Sequence, residues 1–273
     1  MLRDIHVIIV EDDPYARDFM SMLLRRDWRT RVVGEFGSSA AANLSHALHQ
    51  FASPVDILVV DTEVPSDEYW PARVTQIVRS LPEPPAILYT CTYPEVRALS
   101  HALETHSGGY VCKEEIRYGL ASAISAAAQG KFVITPGVQR IADQMELPEH
   151  TQVMDGTIPV ATFTPRESEL SRLGLLFNLS QRDIADDLVV SSDFVAEVMG
   201  QVYEKLGLRD ILSGEKPLEE YFQDEMLIAR CRSVLEKSGL NSKPQAPKAT
   251  HKAPWMPTIA FHLLTRPDVE EMG

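Results

Sequence analysis

Four short apolar runs in the first half of the chain each end at a polar residue of a different kind. The runs are 6–10, 57–60, 86–89 and 110–112, and the residues that follow them are Glu11, Asp61, Thr90 and Lys113. Short β-branched runs separated by longer helical stretches predict buried parallel strands. Because ligands of such sheets gather at the carboxyl ends of the strands, these polar side chains are expected to form one reaction centre.

The order of the patterns divides the chain into four parts. Residues 1–130 alternate five predicted strands with five predicted helices, and 161–240 read as an all-helical unit. The pattern weakens over 131–160, where prolines and a glycine predict an interdomain linker with one short helix at 137–145. Residues 241–273 begin with a Pro, Lys and Ala-rich stretch and are predicted to be a disordered tail, apart from a short apolar segment that docks on a partner or on the body.

Length and composition limit what the chain can be. With 273 residues and 44% apolar residues, two globular units are expected. The first residues carry charge and do not resemble an apolar leader, and no apolar stretch approaches the roughly 20 residues that span a bilayer, so a cytoplasmic protein without membrane contact is predicted. The net charge of -13 argues against nonspecific coating of nucleic acid, so any DNA binding must be local.

The predicted reaction centre suits phosphoryl transfer. Glu11, Asp12 and Asp61 would repel one another in a partly desolvated cleft unless a cation joined them. Mg²⁺ suits such an all-oxygen site, with Asp12 and Asp61 as direct ligands and Glu11 acting through water. Lys113 would supply a fixed positive charge, and the Thr90 hydroxyl would donate to a phosphoryl oxygen. Asp61 is therefore the expected acceptor.

The first 130 residues resemble the receiver domain of two-component response regulators. The resemblance lies in VEDDP at 10–14, DTEVP at 61–65, YT at 89–90 and GYVCK at 109–113. It implies an α/β, flavodoxin-like fold: a doubly wound five-stranded parallel sheet. It also implies a histidine kinase as partner and Asp61 as the phosphoacceptor.

The same resemblance assigns roles to further residues around Asp61. The backbone carbonyl of Glu63 would complete the magnesium site. Thr90, or as second choice Thr92, would move toward the phosphoryl group, and Tyr110 would move inward behind it as a switch. These movements would bias the signalling face between two packed arrangements.

The stretch that begins at Phe163 resembles the LuxR-type (NarL/FixJ-like) helix-turn-helix. TPRE at 164–167, LSQRDIA at 179–185 and KLG at 205–207 carry this resemblance. It implies that the helix after Ser191 or Ser192 reads the major groove of DNA.

The predicted reading helix is acidic where a basic one is expected. Asp193 and Glu197 stand where the family usually places lysine or other contact residues. Such a face should repel the DNA backbone. The few residues left that could contact DNA are Arg182, Gln201 and Lys205, and a solvated helix face is as good an interpretation of the last two.

Two functions remain open from the sequence. The first is a phosphorylation-controlled transcription regulator that forms a homodimer and binds a promoter through its helix-turn-helix. The alternative is a response regulator whose acidic helix-turn-helix serves protein-protein interaction, with RNA polymerase, another regulator or its own receiver as partner. The second unit contains no nucleophile-base pair, metal-ligand cluster or phosphate-binding glycine loop, so no enzyme is predicted there.

Overall fold

The computed structural model describes residues 3–37, 40–50, 54–66, 68–157, 162–238 and 255–272. They form two compact units. Unit 1 is Met1–Thr157 together with Pro267–Gly273, and unit 2 is Ile158–Arg266. Among the described residues, no helix has both the length and the apolar character needed to cross a membrane.

Unit 1 contains the predicted doubly wound sheet. Its first five strands are β1 (Ile5–Val10), β2 (Thr30–Phe36), β3 (Ile57–Asp61), β4 (Ala86–Cys91) and β5 (Gly109–Cys112). They are parallel and lie in the order β2-β1-β3-β4-β5, which confirms the fold class. Every residue of β3 is buried, as expected for a central strand covered by helices on both faces.

The helices of unit 1 follow the predicted alternation. They are α1 (Pro14–Arg26), α2 (Ala40–Gln50), α3 (Trp70–Arg79), α4 (Val96–Glu104), α5 (Lys113–Ile116) and α6 (Leu120–Ala128). The Asp13 carboxylate caps α1 by accepting from the backbone N–H groups of Tyr15 and Ala16. The last predicted helix, 114–128, is in fact divided: a 3₁₀ turn at Arg117–Gly119 separates α5 from α6, and Arg117 has a φ of 31°.

Three further strands extend the sheet beyond β5. They are β6 (Phe132–Ile134), β7 (Thr151–Asp155) and β8 (Asp268–Glu271), and only β8 is antiparallel to its neighbour. The short helix α7 (Pro136–Ile141) lies between β6 and β7 in sequence. The structure therefore corrects the linker predicted at 131–160, because 132–155 belong to unit 1. Residues 158–160 lie outside the described residues.

The predicted disordered tail is also corrected over 255–272. Helix α13 (Met256–Leu264) is almost wholly apolar, and it packs on unit 2 against α11 (Leu208–Ser213) and a π-helical turn at Arg172–Leu176. Burial of its apolar side chains makes this segment part of the core of unit 2. Strand β8 follows it and pairs with β7, so the sequence of unit 2 is inserted between two adjacent strands of unit 1. Residues 241–254 lie outside the described residues.

Unit 2 is helical, as predicted. Its other helices are α8 (Pro165–Ser171), α9 (Gln181–Leu188), α10 (Ser192–Lys205) and α12 (Glu225–Lys237). Thr164 and Glu167 form a capping box at the start of α8. Residues of α8, α9 and α10 with nearly no exposure, among them Leu170, Ile184 and Val202, form the core. The pair α9 and α10 is the predicted helix-turn-helix.

Candidate functional site

Three charged side chains meet at the carboxyl ends of β1, β3 and β5. The Nζ atom of Lys113 lies 2.8 Å from Glu11 Oε2 and 3.1 Å from Asp61 Oδ2. The Glu11 and Asp61 side chains are only 1% and 2% exposed, whereas Lys113 is 18% exposed. Buried carboxylates are stable only when a cation compensates them, and Lys113 supplies one positive charge for two carboxylates.

A third carboxylate joins this pair. Ligand oxygens of Glu11, Asp12 and Asp61 all lie within 4.8 Å of one another, and Asp12 is only half-buried. Three hard oxygen donors around a partly open position are the donor set that Mg²⁺ prefers. The chemistry of these residues therefore fits the predicted ion.

Burial and the neighbouring charge of Glu11 raise the pKa of Asp61 to about 7. The nearby Lys113 charge and the hydrogen bonds that Lys113 and the Glu63 backbone N–H donate oppose this rise but do not cancel it. For Lys113, burial by itself would lower the pKa, but its hydrogen bond to Glu11 and the charges of both carboxylates outweigh burial and raise it. Lys113 therefore stays protonated. The positive charge near Asp61 is too small to offset the effects of burial and of Glu11 on the pKa of Asp61.

Thr90 lies directly beside Asp61, since the two residues are partners in the β3-β4 register. The Thr90 side chain is fully buried, and its Oγ1 has no hydrogen-bond partner among the described residues. The alternative residue, Thr92, instead donates from its Oγ1 to Glu63 Oε2 at 2.6 Å. A free hydroxyl next to the acceptor favours Thr90 over Thr92 for contact with a phosphoryl oxygen.

Two further predicted residues lie around the cluster. The Glu63 backbone N–H donates to Asp61 Oδ1 at 3.3 Å, and its carboxylate ties the β3 loop to the β4 loop through Thr92. The role of its carbonyl as a ligand stays a prediction. Tyr110 is fully buried, and its hydroxyl accepts from the Glu95 backbone N–H at 3.1 Å. Its movement as a switch stays a prediction.

The three residues predicted to contact DNA do not form one surface cluster of free positive charge. Arg182 is 87% exposed, and its Nε lies 3.9 Å from Asp186 Oδ2. Gln201 is exposed on α10. Lys205, however, donates from Nζ to Glu167 Oε2 at 2.6 Å and to the Thr162 carbonyl at 3.1 Å. Its charge therefore supports the capping box of α8, a role that the sequence did not reveal.

Curated relatives resemble the chain across both units. No family model matches it. The "Probable transcriptional regulatory protein NarL" of Mycobacterium tuberculosis is 27% identical over 209 residues, which are 76% of this chain and 89% of that protein. The "Oxygen regulatory protein NreC" of Staphylococcus carnosus is 24% identical over 204 residues, 74% of this chain and 91% of that protein. The chain is thus similar over most of its length to bacterial regulatory proteins of the response-regulator type.

A solved structure of the Salmonella typhimurium RcsB response regulator is 21% identical to this chain, and the match covers 86% of this chain and 100% of that one. The TM-score between the two structures is 0.46.

Two hydrogen bonds close to Lys113 involve residues that sequence reasoning missed. Thr135 follows β6 and accepts a hydrogen bond from the backbone N–H of Cys112, the residue before Lys113. Glu115, two residues after Lys113, accepts from the Gly137 backbone N–H. Nothing in the weak pattern of 131–160 signalled these contacts, because each depends on β6 pairing with β5.

Proposed function

We propose that this response regulator accepts a phosphoryl group on Asp61 and thereby controls transcription through its helix-turn-helix domain. The observation that carries the proposal is the convergence of the Glu11, Asp12 and Asp61 carboxylates with the Lys113 amine at one edge of the sheet. Perturbed charges that converge in a cleft favour a functional site over a structural one.

In the proposed reaction, an Asp61 oxygen attacks the phosphorus of the donor. A phosphorus–oxygen bond to Asp61 forms as the bond from phosphorus to the leaving group breaks, and the leaving group is a histidine nitrogen of the kinase or the acetate of acetyl phosphate. Lys113 holds Asp61 in place and balances the charge that the phosphoryl group brings, while Thr90 donates to a phosphoryl oxygen. Bound Mg²⁺, held by Glu11, Asp12, Asp61 and the Glu63 carbonyl, would supply the positive charge that the buried carboxylates lack.

Incubation with acetyl phosphate and Mg²⁺ tests the chemistry. We expect close to one phosphoryl group per chain, released by hydroxylamine because acyl phosphates are labile to this nucleophile, and no labelling when a chelator removes Mg²⁺. Intact-protein mass spectrometry gives the stoichiometry. A phosphoryl group that survives hydroxylamine, or one that forms equally well with the chelator present, would contradict the proposed acceptor.

Transcriptional control is proposed because the names of the relatives describe regulatory proteins, NarL being named as a transcriptional regulator. A histidine kinase as donor, a homodimer and a DNA target belong to this proposal. No specific observation favours the protein-interaction alternative. The exposed acidic residues of α10 are instead expected to weaken DNA binding without replacing it.

Removing one acidic charge from α10 should strengthen binding to random duplex DNA. For Glu197→Gln we expect about threefold tighter binding at about 50 mM salt and a smaller gain at about 200 mM, because the repulsion from phosphates is screened. Fluorescence anisotropy of a labelled duplex measures both. Glu236→Gln, an equal charge change on α12, is the matched control. Equal gains from the two variants would show that only net charge matters and that α10 does not face DNA.

A further inference from the structure

The residues on both sides of Lys113 form hydrogen bonds to the segment 132–156, which contains β6, α7 and β7. Before it, the Cys112 backbone N–H donates to Thr135 Oγ1 at 3.0 Å. Thr135 is fully buried and stands between the end of β6 and the start of α7. The backbone N–H of the last residue of β5 is therefore bound by the side chain of the residue that directly follows β6.

After Lys113, Glu115 makes bonds with both its side chain and its backbone. Its Oε2 accepts from the Gly137 backbone N–H at 2.7 Å, and its backbone carbonyl accepts from the Gly156 N–H at 2.9 Å. The two glycines permit this close approach: a Cβ at 137 would lie 2.8 Å from the Glu115 carboxylate, and one at 156 would lie 1.9 Å from the Ile116 carbonyl. At Gly156 the neighbouring atom belongs to the backbone, so a larger residue there would force the backbone to move, whereas at Gly137 the Glu115 side chain could shift.

The segment that carries Lys113 has little structure of its own to hold it. Lys113 is the first residue of α5, which has four residues and ends at the left-handed Arg117. Helices this short do not persist without outside contacts, because nucleation costs more than one turn returns. The direction in which Lys113 points thus depends on the bonds made by its neighbours.

We propose that Thr135 and Glu115 are positioning residues of the phosphorylation site. They hold the backbone around Lys113 so that its Nζ stays within reach of Asp61 and Glu11. This inference rests on the proposed phosphorylation of Asp61. It makes Thr135, together with the Gly137 and Gly156 backbone that contacts Glu115, a support of the site.

The first test compares two buried threonines of the segment 132–156, Thr135 and Thr151. Thr135→Val removes the acceptor of the Cys112 N–H, whereas Thr151→Val removes a hydroxyl that donates only to the local Pro148 carbonyl. We expect Thr135→Val to lower the rate of labelling by acetyl phosphate about 5- to 10-fold, since small displacements of a reacting group are costly. Thr151→Val should stay within about twofold of the unmodified chain, and Thr135→Ser, which keeps the hydroxyl, should restore the rate.

The second test asks whether Thr135 acts through Lys113. In a Lys113→Ala chain, adding Thr135→Val should slow labelling no further, because the group that Thr135 positions is gone. An undiminished effect in that background would overturn the inference. So would equal losses for the two valine variants, or a Thr135→Val chain that is labelled at the normal rate.

A third variant and a reference measurement keep the outcomes separate. Should Thr135→Val fail to fold, Glu115→Ala, which leaves the core unchanged, must slow labelling in the same Lys113-dependent way, and normal labelling of Glu115→Ala would then overturn the inference. An unmodified chain that carries no phosphoryl group on Asp61 would overturn the proposed function itself. Labelled wild type with unaffected variants would overturn only the positioning role.

Discussion

Asp61→Asn is expected to reduce phosphoryl labelling of the chain by at least about 100-fold, because the amide lacks a nucleophilic carboxylate oxygen. The asparagine side chain has nearly the same volume, so the fold should persist. Mass spectrometry after exposure to acetyl phosphate and Mg²⁺ measures the loss, and circular dichroism checks the fold.

Asp18→Asn provides the matched control for this variant. Asp18 lies exposed on α1 and is not a member of the carboxylate cluster. Its replacement makes the same chemical change and should leave labelling as it is in the unmodified chain. Persistent labelling of Asp61→Asn, with the phosphoryl group now on another residue, would show that Asp61 is not the acceptor.

The cluster of Glu11, Asp61 and Lys113 could be predicted because its sequence signals are local. Glu11, Asp61, Thr90 and Lys113 each directly follow an apolar run, and the parallel sheet then brings the four ends of these runs to one edge. No long-range pairing had to be guessed. The structure confirms the five-stranded arrangement and brings Glu11, Asp61 and Lys113 together.

The added strands could not be predicted because their signals are not local. β6 has only three residues, and prolines at 136 and 148 interrupt the stretch between β6 and β7, so the sequence of this region resembles a linker. Strand β8 has the sequence DVEE, which shows no alternation of apolar residues. It is a strand because it pairs with the edge of β7, from which the whole sequence of unit 2 separates it. Pairing across so long a sequence separation leaves no mark in a window of neighbouring residues.

The role of Lys205 was misjudged for a related reason. A lysine near the end of a predicted reading helix is compatible with phosphate contact, and the sequence does not show that Glu167 lies within 2.6 Å of it. Hydrogen bonding to Lys205, and to the Thr164 backbone, holds the pKa of Glu167 below its usual range. The choice between a DNA contact and an internal ion pair depends on tertiary structure.

The free energy of unfolding of unit 1 should depend on pH through Asp61. Folding raises the pKa of this carboxyl group from 3.8 to about 7, so the folded state binds its proton more tightly than the unfolded state does. Its contribution is fully present below pH 4 and is lost as the pH rises toward 7. Without divalent ions, Asp61→Asn should therefore be more stable than the unmodified chain by about 2–4 kcal/mol at pH 8 and by almost nothing at pH 4.

Urea unfolding measures this difference when the signal comes from unit 1 alone. A Trp255→Phe background leaves Trp28 and Trp70, both in unit 1, as the fluorescent reporters. Mg²⁺ should stabilise the unmodified chain more at pH 8 than at pH 5, because the ion binds the ionised carboxylates, and it should reduce the advantage of Asp61→Asn. Asp18→Asn should follow the unmodified chain throughout. A constant difference between Asp61→Asn and the unmodified chain from pH 4 to pH 8 would show that burial and the Glu11 charge do not raise the pKa of Asp61 on folding.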